Sequence, residues 1–184
     1  MVQVTYRKGI NNVLGSDVNY DFASVDVYQN RLNFGVLGYS AYKFTLGSYF
    51  NNKALYYMDY YHFLGNQGTV FNPDIGNFHF LPFYPYSANH TFLEAHYEHN
   101  FSGYLLGQVP YIRRLKLQEI VGVNYLNENN TPISNDPYFL NNTVHNYAEA
   151  YIGIKRFFFR VDYGVALRAG SKVTQGFRIF YGIR

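Results

Sequence analysis

Three side chains that can bind metals or transfer protons, Glu94, His96 and Glu98, occupy every second position of one short segment. On a β-strand, alternate side chains point to the same face about 7 Å apart, so the three would form one row. Carboxylate and imidazole groups bind divalent metals, and a further ligand from a neighbouring strand would complete a metal site. The alternative interpretation is that the row lines a wet interior, where nearby cations offset the two carboxylates.

We favour the second interpretation, in which the row is one part of a polar barrel interior. In a membrane barrel, the strand face that points away from lipid carries polar and charged side chains. The predicted lining residues are Glu94, His96, Glu98, Lys116, Arg160, Asp162 and Arg178. Neither a resident metal nor a cofactor is predicted.

The sequence offers no recognisable set of residues for catalysis. Ser87, Ser102 and Ser171 lie in no motif that links a serine nucleophile to a histidine and an acid. The chain also has no Gly-x-Ser-x-Gly motif, no phosphate-binding loop and no dinucleotide-binding glycine pattern. We therefore predict that the protein is not an enzyme and name no catalytic residue. A lipid-modifying hydrolase is kept as an alternative.

The segments that would carry the polar residues alternate between large apolar and small or charged side chains. Phe159, Val161 and Tyr163 share one face of a strand, whereas Arg160 and Asp162 share the other. A strand of about ten residues tilted by about 45° can cross a bilayer, whereas soluble strands usually have about five or six residues. The pattern predicts strands with one face toward lipid and one toward a wet interior.

The last strand shows the same alternation. After a glycine, large apolar side chains occupy every second position, a pattern that resembles the C-terminal signal of bacterial outer-membrane β-barrels. The residues of this predicted insertion signal are Gly176, Phe177, Ile179, Tyr181 and Ile183. We therefore expect the protein to be located in the cell outer membrane.

Composition agrees with a β-sheet in a membrane. Charged residues make up 15% of the chain, whereas Tyr and Phe number 21 and 17. Mean hydropathy is −0.23. No apolar run approaches the roughly 18 residues of a transmembrane helix. A membrane protein with this sequence must therefore cross the bilayer with β-strands. Tyrosine is the residue expected in the interfacial girdles of such barrels.

Charge and cysteine content bear on other classes of protein. The net charge is +3, and the densest basic cluster, Arg113, Arg114 and Lys116, is too short for a nucleic-acid surface. The absence of cysteine fits a protein of the cell envelope. Because no export signal precedes the first predicted strand, we expect a mature chain or a part of a longer one.

The alternation predicts one all-β, antiparallel domain over residues 1–184. About eight strands are expected, at residues 2–8, 18–37 with a bulge near 28–32, 42–47, 91–102, 115–126, 146–154, 157–168 and 174–184. Residues 51–90 have no regular periodicity and many aromatic side chains, so they are predicted to form a long packed loop. A polar loop is predicted at 127–142. The strands would form a transmembrane β-barrel, or the C-terminal half of a sixteen-stranded barrel.

Five segments of the sequence are similar to a known family. They are Tyr6-Arg7-Lys8-Gly9, His62-Phe63-Leu64-Gly65-Asn66-Gln67, Leu93-Glu94-Ala95-His96-Tyr97-Glu98-His99-Asn100-Phe101, Leu115-Lys116-Leu117-Gln118-Glu119 and Phe159-Arg160-Val161-Asp162-Tyr163. The sequence resembles the C-terminal barrel region of a Bacteroidetes outer-membrane family of unknown function, in which a carboxypeptidase-regulatory-like domain precedes a barrel. That barrel is similar to the sixteen-stranded BamA-type, or bacterial surface antigen, superfamily. The resemblance implies that this chain supplies the last eight strands.

The resemblance also implies a role for the long loop. Residues 51–90 correspond to the sixth extracellular loop of the superfamily, which folds back into the lumen. The nearest counterpart of its Arg-Gly-aromatic tip is Leu64-Gly65-Asn66, where the arginine is missing. We therefore expect a loop that plugs the lumen, without the assembly mechanism of the superfamily.

Together these features predict an outer-membrane β-barrel protein with a structural, transport or assembly-related function. Its expected partners are outer-membrane lipid, the outer-membrane assembly machinery, and an N-terminal barrel half or a second copy; nucleic acid is excluded. The first alternative is an outer-membrane enzyme or metal-binding barrel built on the row at 94–98. The second alternative is a soluble secreted β-sandwich that acts as an adhesin.

Overall fold

The computed structural model describes residues 1–83, 86–130, 146–168 and 171–181, and 60% of it is β-strand. The strands are β1 (Val2–Gly9), β2 (Asn19–Asn33), β3 (Tyr39–Ala54), β4 (Tyr61–His62), β5 (Ser87–Ala88), β6 (Thr91–Asn100), β7 (Gln118–Asn129), β8 (Asn146–Arg156), β9 (Phe159–Arg168) and β10 (Ser171–Tyr181). Helical structure in these ranges consists of α1 (Pro110–Arg113) and 3-10 turns at Gly35–Leu37, Tyr57–Asp59 and Leu106–Gln108. None of these helices is long and apolar enough to cross a membrane.

Eight strands form one antiparallel sheet in the order β1-β2-β3-β6-β7-β8-β9-β10. The two-residue strands β4 and β5 pair with each other within the segment that connects β3 to β6. The predicted all-β class, antiparallel pairing and number of strands are confirmed. Within the described ranges, β1 and β10 are the edges of the sheet and do not pair with each other, so the closed barrel stays a prediction.

Burial alternates along the strands as the sequence pattern predicts. In β9, Arg160 and Asp162 are buried, whereas Phe159, Val161 and Tyr163 are exposed. The same alternation occurs in β6, β7 and β8. The sheet therefore has a covered, largely polar inner face and an exposed, apolar outer face. Outer-face side chains include Val4, Leu46, Leu93, Val123, Ile152, Val161, Leu167 and Phe177.

The segment 55–90 is called the inner loop here, and its described residues, 55–83 and 86–90, cover the inner face. Several of its apolar side chains are buried, namely Phe63, Phe78, Phe80, Leu81 and Tyr86. They form one hydrophobic cluster with side chains of six sheet strands, namely Phe22, Tyr49, Phe92, Leu126, Tyr147 and Ala166. Because each aromatic ring removes about 150–250 Å² from water, this cluster is the main apolar core, and the sheet wraps around the loop.

The first long hairpin differs from the predicted one in its boundaries. The strand predicted over 18–37 ends at Asn33, and β3 begins at Tyr39 and continues through Ala54. Gly38 makes this early start possible, because its φ of 94° is unfavourable for other residues and a Cβ there would collide with the Asn100 carbonyl oxygen. The bulge predicted near 28–32 is confirmed by a register shift between Gln29 and Leu32.

The region around β7 also differs from the prediction. β7 begins at Gln118 and not at 115, and residues 101–117 form a connection that contains a 3-10 turn and α1. Glu119, which interrupts the apolar face in the sequence, therefore lies at the start of the strand. Its carboxylate accepts hydrogen bonds from the main-chain N–H groups of Gly103 and Leu106. The polar loop predicted at 127–142 starts later, because β7 continues through Asn129. Residues 131–142 of the predicted loop lie outside the described ranges.

The connections divide the sheet into two ends. Residues 34–38, 101–117 and 157–158 join strands at one end, which we call the turn end. Residues 10–18 and the inner loop join strands at the other end, which we call the loop end. The inner loop therefore enters from the loop end and packs along the inner face.

Candidate functional site

The carboxylate of Glu149 in β8 attaches the inner loop to the sheet. It accepts hydrogen bonds from the main-chain N–H groups of His79 at 2.6 Å and Phe80 at 3.0 Å. Tyr147 Oη and Asn124 Nδ2 donate to the same carboxylate at 2.7 Å and 2.6 Å. Since Glu149 is only 3% exposed, these four donors replace the water that the carboxylate loses on burial.

The loop segment 77–80 reaches strands on both sides of β8. The Phe78 ring lies 4.6 Å from the ring of His96 in β6. Arg178 in β10 donates from Nε to the His79 carbonyl oxygen at 2.6 Å, and its guanidinium lies 4.3 Å from the centre of the Phe80 ring. One short segment therefore holds three strands of the sheet in a fixed relation.

A second polar network lies closer to the turn end. Arg160 Nη2 donates to Glu98 at 2.6 Å and to Asp162 at 2.8 Å, and Arg160 Nε donates to Asp162 at 2.9 Å. Tyr151 Oη donates to Glu98 at 3.0 Å. Because Arg160 and Asp162 are almost fully buried, each charge depends on its partner for compensation.

The row Glu94, His96 and Glu98 lies on the inner face, but its members belong to different networks. His96 Nε2 lies 2.6 Å from Glu94 Oε1, and His96 Nδ1 lies 2.9 Å from Asn124 Oδ1. Glu98 instead contacts Arg160. Among the described residues, no group of three or more His, Asp or Glu side chains could hold a metal ion.

The remaining predicted site residues have varied positions. Asp162 and Arg178 contribute to the inner-face networks described above. Lys116 does not contribute to these networks. It precedes β7, lies in the 101–117 connection with a φ of 49°, and is exposed. This position corrects the assignment of Lys116 to the barrel lining. Leu115 and Leu117 on either side of Lys116 give the apolar alternation of a strand, although the chain makes a turn at this position.

The predicted loop tip, Leu64-Gly65-Asn66, pairs with another part of the inner loop. Phe78 N donates to the Leu64 carbonyl oxygen at 2.8 Å, and Asn66 N donates to the Leu81 carbonyl oxygen at 2.6 Å. Gly65 lies so close to this second segment that a Cβ would collide with the Leu81 carbonyl group. The tip therefore supports residues 78–81, which contact the sheet.

His79 is buried between the two inner-face networks. Its Nε2 lies 3.8 Å from Asp162 Oδ2, and its Nδ1 has no hydrogen-bond partner in the described part of the chain. Burial, followed by the positive charges of Arg160 and Arg178, lowers the pKa of His79 well below its ordinary value. The ring is therefore neutral at pH 7, and it packs 3.9 Å from the Tyr151 ring.

The inner loop also bonds to the edge of β10. Ile179 N donates to the Thr69 carbonyl oxygen at 2.7 Å, and Phe71 N donates to the Ile179 carbonyl oxygen at 3.0 Å. Within the predicted insertion signal, Phe177 and Tyr181 project from the outer face and are 62% and 66% exposed. Gly176 lies in β10 opposite Gly164. Ile183 lies outside the described ranges.

A cavity of about 490 Å³ separates the inner loop from the turn end. Its wall includes Asp74 of the loop and Arg31, Glu98, Lys155 and Arg160 of the sheet strands. The inner loop thus fills the inner face near the loop end and leaves a charged space near the turn end.

Three main contributors to the loop contact were not predicted from the sequence: Glu149, Asn124 and His79. A signal for Glu149 exists, because alternation puts it between Tyr147 and Tyr151 on the polar face of β8, where a buried acid has hydroxyl donors nearby. For His79 there is no such signal, since the inner loop lacks periodicity. The arrangement consists of acids and bases that bind one another and the loop main chain, which suits attachment of the loop.

One comparison with known proteins finds a family. The model described as the C-terminal domain of a family of unknown function, DUF5686, matches residues 1–154. No curated protein and no solved structure matches the chain. The matched region contains the inner loop, the row at 94–98 and Glu149. The chain therefore belongs to the DUF5686 family, whose C-terminal domain it carries.

Proposed function

We propose that this chain forms the C-terminal part of an outer-membrane β-barrel protein, with the inner loop as a plug in the lumen and a structural, transport or assembly-related role. The outer face of the sheet carries the proposal. Leu46, Val123 and Phe177 are 56%, 52% and 62% exposed although they are apolar. An extended apolar face is costly in water, whereas lipid solvates it.

The dimensions of the sheet agree with this role. β9 has ten residues, which at about 3.3 Å per residue and a tilt of about 40° rise about 25 Å, the height of the apolar band of such barrels. Polar groups on the outer face lie toward the ends, such as the Lys8–Asp21 ion pair at the loop end and Glu119 at the turn end. These positions suit the two membrane surfaces.

The alternatives are less well supported. A soluble β-sandwich needs a second sheet over its apolar face, and in the described ranges the only other sheet is the pair β4–β5 inside the inner loop. A metal-binding or enzymatic barrel needs Glu94, His96 and Glu98 to act together, but Glu98 is paired with Arg160 instead.

The partners follow from the two sheet edges. Unpaired N–H and C=O groups in lipid cost several kcal/mol each, so in the membrane β1 and β10 would have to pair with each other, with an N-terminal barrel half or with a second copy. We further propose that the protein belongs to the Bacteroidetes outer membrane and to the BamA-type superfamily, and that it meets outer-membrane lipid and the assembly machinery. The eight strands and the long inner loop between the third and fourth strands of the sheet support the superfamily proposal, and the five similar sequence segments are the basis for the Bacteroidetes proposal.

The absence of cysteine allows a direct test of the lipid-facing assignment. Val123→Cys and Leu14→Cys would each carry an environment-sensitive fluorophore in protein reconstituted into phosphatidylcholine vesicles with nitroxide-labelled acyl chains. We expect strong quenching at Val123 and little at Leu14, which is fully exposed in the β1–β2 connection. Equal quenching at both positions, or a chain that stays soluble without detergent, would contradict the proposal.

A further inference from the structure

The connection between β6 and β7, residues 101–117, has an unusual distribution of charge. It contains Arg113, Arg114 and Lys116 but no acidic residue. All three cations are exposed, and none forms an ion pair with another described residue. The connection therefore presents three uncompensated positive charges in four consecutive positions at the turn end of the sheet.

The same connection exposes large apolar and aromatic side chains. Tyr111 is 87% exposed, and the exposed fractions of Tyr104, Leu105, Val109 and Leu115 are 43%, 49%, 42% and 43%. The 3-10 turn and α1 hold these residues close to the cations. Apolar side chains beside a cluster of basic ones are typical of segments that lie in a membrane interface.

The hydrogen bonds of Glu119 locate this connection relative to the sheet. Glu119 has the same parity as Val121 and Val123, so its side chain belongs to the outer face. Its carboxylate binds the main-chain N–H groups of Gly103 and Leu106. The beginning of the connection therefore lies on the outer side of the sheet and is continuous with the apolar outer face.

We propose that residues 101–117 bind anionic phospholipid headgroups at the membrane surface next to the turn end. This inference rests on the proposed function, because it requires the outer face to be in lipid. Tyr111 would occupy the headgroup region, where an amphipathic ring is favourable. Arg113, Arg114 and Lys116 would bind lipid phosphates, and each cation near an anionic surface strengthens binding about fivefold.

The absence of tryptophan makes the test specific. Tyr111→Trp would be placed in vesicles of 70% phosphatidylcholine and 30% phosphatidylglycerol, with bromine on the chains of one lipid or the other. We expect each brominated phosphatidylglycerol to quench at least about twice as strongly as each brominated phosphatidylcholine, because the cations enrich the anionic lipid. Arg113→Gln, Arg114→Gln and Lys116→Gln together should remove this preference.

Two control tryptophans separate the possible outcomes. Met58→Trp, which is 84% exposed at the loop end, should show no preference for the anionic lipid. Val123→Trp, on the outer face, should be quenched with and without the three glutamine substitutions. That quenching would show that the sheet is inserted in the bilayer. If Val123→Trp is quenched while Tyr111→Trp is not, or responds equally to both lipids, the headgroup inference is overturned and the proposed function stands. If Val123→Trp is not quenched, both are overturned.

Discussion

The carboxylate of Glu149 lies 2.6 Å from the main-chain nitrogen of His79, although 70 positions separate the two residues in the chain. This contact joins β8 to the middle of the inner loop and leaves the side chains of the loop free to pack. The loop is thus held by a charged group of the sheet that binds the backbone, in addition to the aromatic cluster around it. Such charge-assisted bonds are stronger than neutral ones.

Removal of this carboxylate should release the loop. Glu149→Ala leaves the N–H groups of His79 and Phe80 and the donors of Asn124 and Tyr147 without their acceptor, at an expected cost of about 3–5 kcal/mol. Urea unfolding in detergent micelles and hydrogen exchange at residues 77–81 measure the effect. Glu149→Gln, which keeps the shape and one acceptor oxygen, should cost less. Unchanged exchange at His79 and Phe80 in the alanine variant would show that the carboxylate does not hold the loop.

Arg160 should be needed for the stability of the fold only while its acidic partners, Glu98 and Asp162, are present. Arg160→Met leaves Glu98 and Asp162 without their cation, and the expected loss of stability is about 3–5 kcal/mol. Adding Glu98→Gln and Asp162→Asn should recover most of that loss, since the buried negative charges are then absent. Urea unfolding of the single and triple variants decides. A triple variant no more stable than Arg160→Met would indicate that packing of Arg160, and not its charge, is important.

Acidification should weaken the packing of His79. The pKa of His79 is lowered in the folded protein relative to the unfolded value near 6.5, so protons bind more readily to the unfolded chain below that pH. The neutral ring makes its full contribution to the free energy of unfolding above pH 6.5. Below that pH the contribution falls, by at most about 1.4 kcal/mol per pH unit. Unfolding measured from pH 7.5 to 4.5 should therefore show a steeper loss for the natural protein than for His79→Phe. Parallel curves would refute the assignment.

Hydrogen exchange should distinguish the two edges of the isolated chain. Ile179 is bonded to the inner loop, so its amide should exchange slowly, whereas the edge-facing amides of Phe177 and Tyr181 should exchange quickly. Along β1, the edge-facing amides of Val4 and Tyr6 should also exchange quickly, because β1 pairs only with β2 in the described sheet. Slow exchange at Val4, Tyr6, Phe177 and Tyr181 in a monomer would mean that the barrel closes on itself.

The strands were largely predictable because their two faces meet different surroundings. In β9 the alternation of Phe159, Arg160, Val161 and Asp162 determines which side chains are buried, whatever the neighbouring strands are. The region before β7 was not predictable in this way. Lys116 lies between two leucines, as it would in a strand, but its φ is 49°. A positive φ is usually signalled in a sequence by glycine or asparagine, and this position has neither.

The candidate site was predictable only at the level of a single strand. The row of Glu94, His96 and Glu98 does lie on the inner face, but the partner of Glu98 is 62 positions away. Strand register decides which residues of different strands meet, and the alternation within a single strand does not reveal that register. The attachment at Glu149 was still less visible, because a carboxylate that binds main-chain N–H groups requires no particular side chain on the loop.

The bond between the inner loop and Ile179 has a mechanical consequence. The loop leaves the sheet after β3 and returns at β6, yet at residues 69–71 it touches the last strand, so it crosses the concave side like a brace. The inner loop therefore links β3 to β10 by a route other than the strand ladder. We therefore expect the length of the loop to influence the curvature of the sheet: a deletion should draw β10 toward β3, and an insertion should let the two strands move apart.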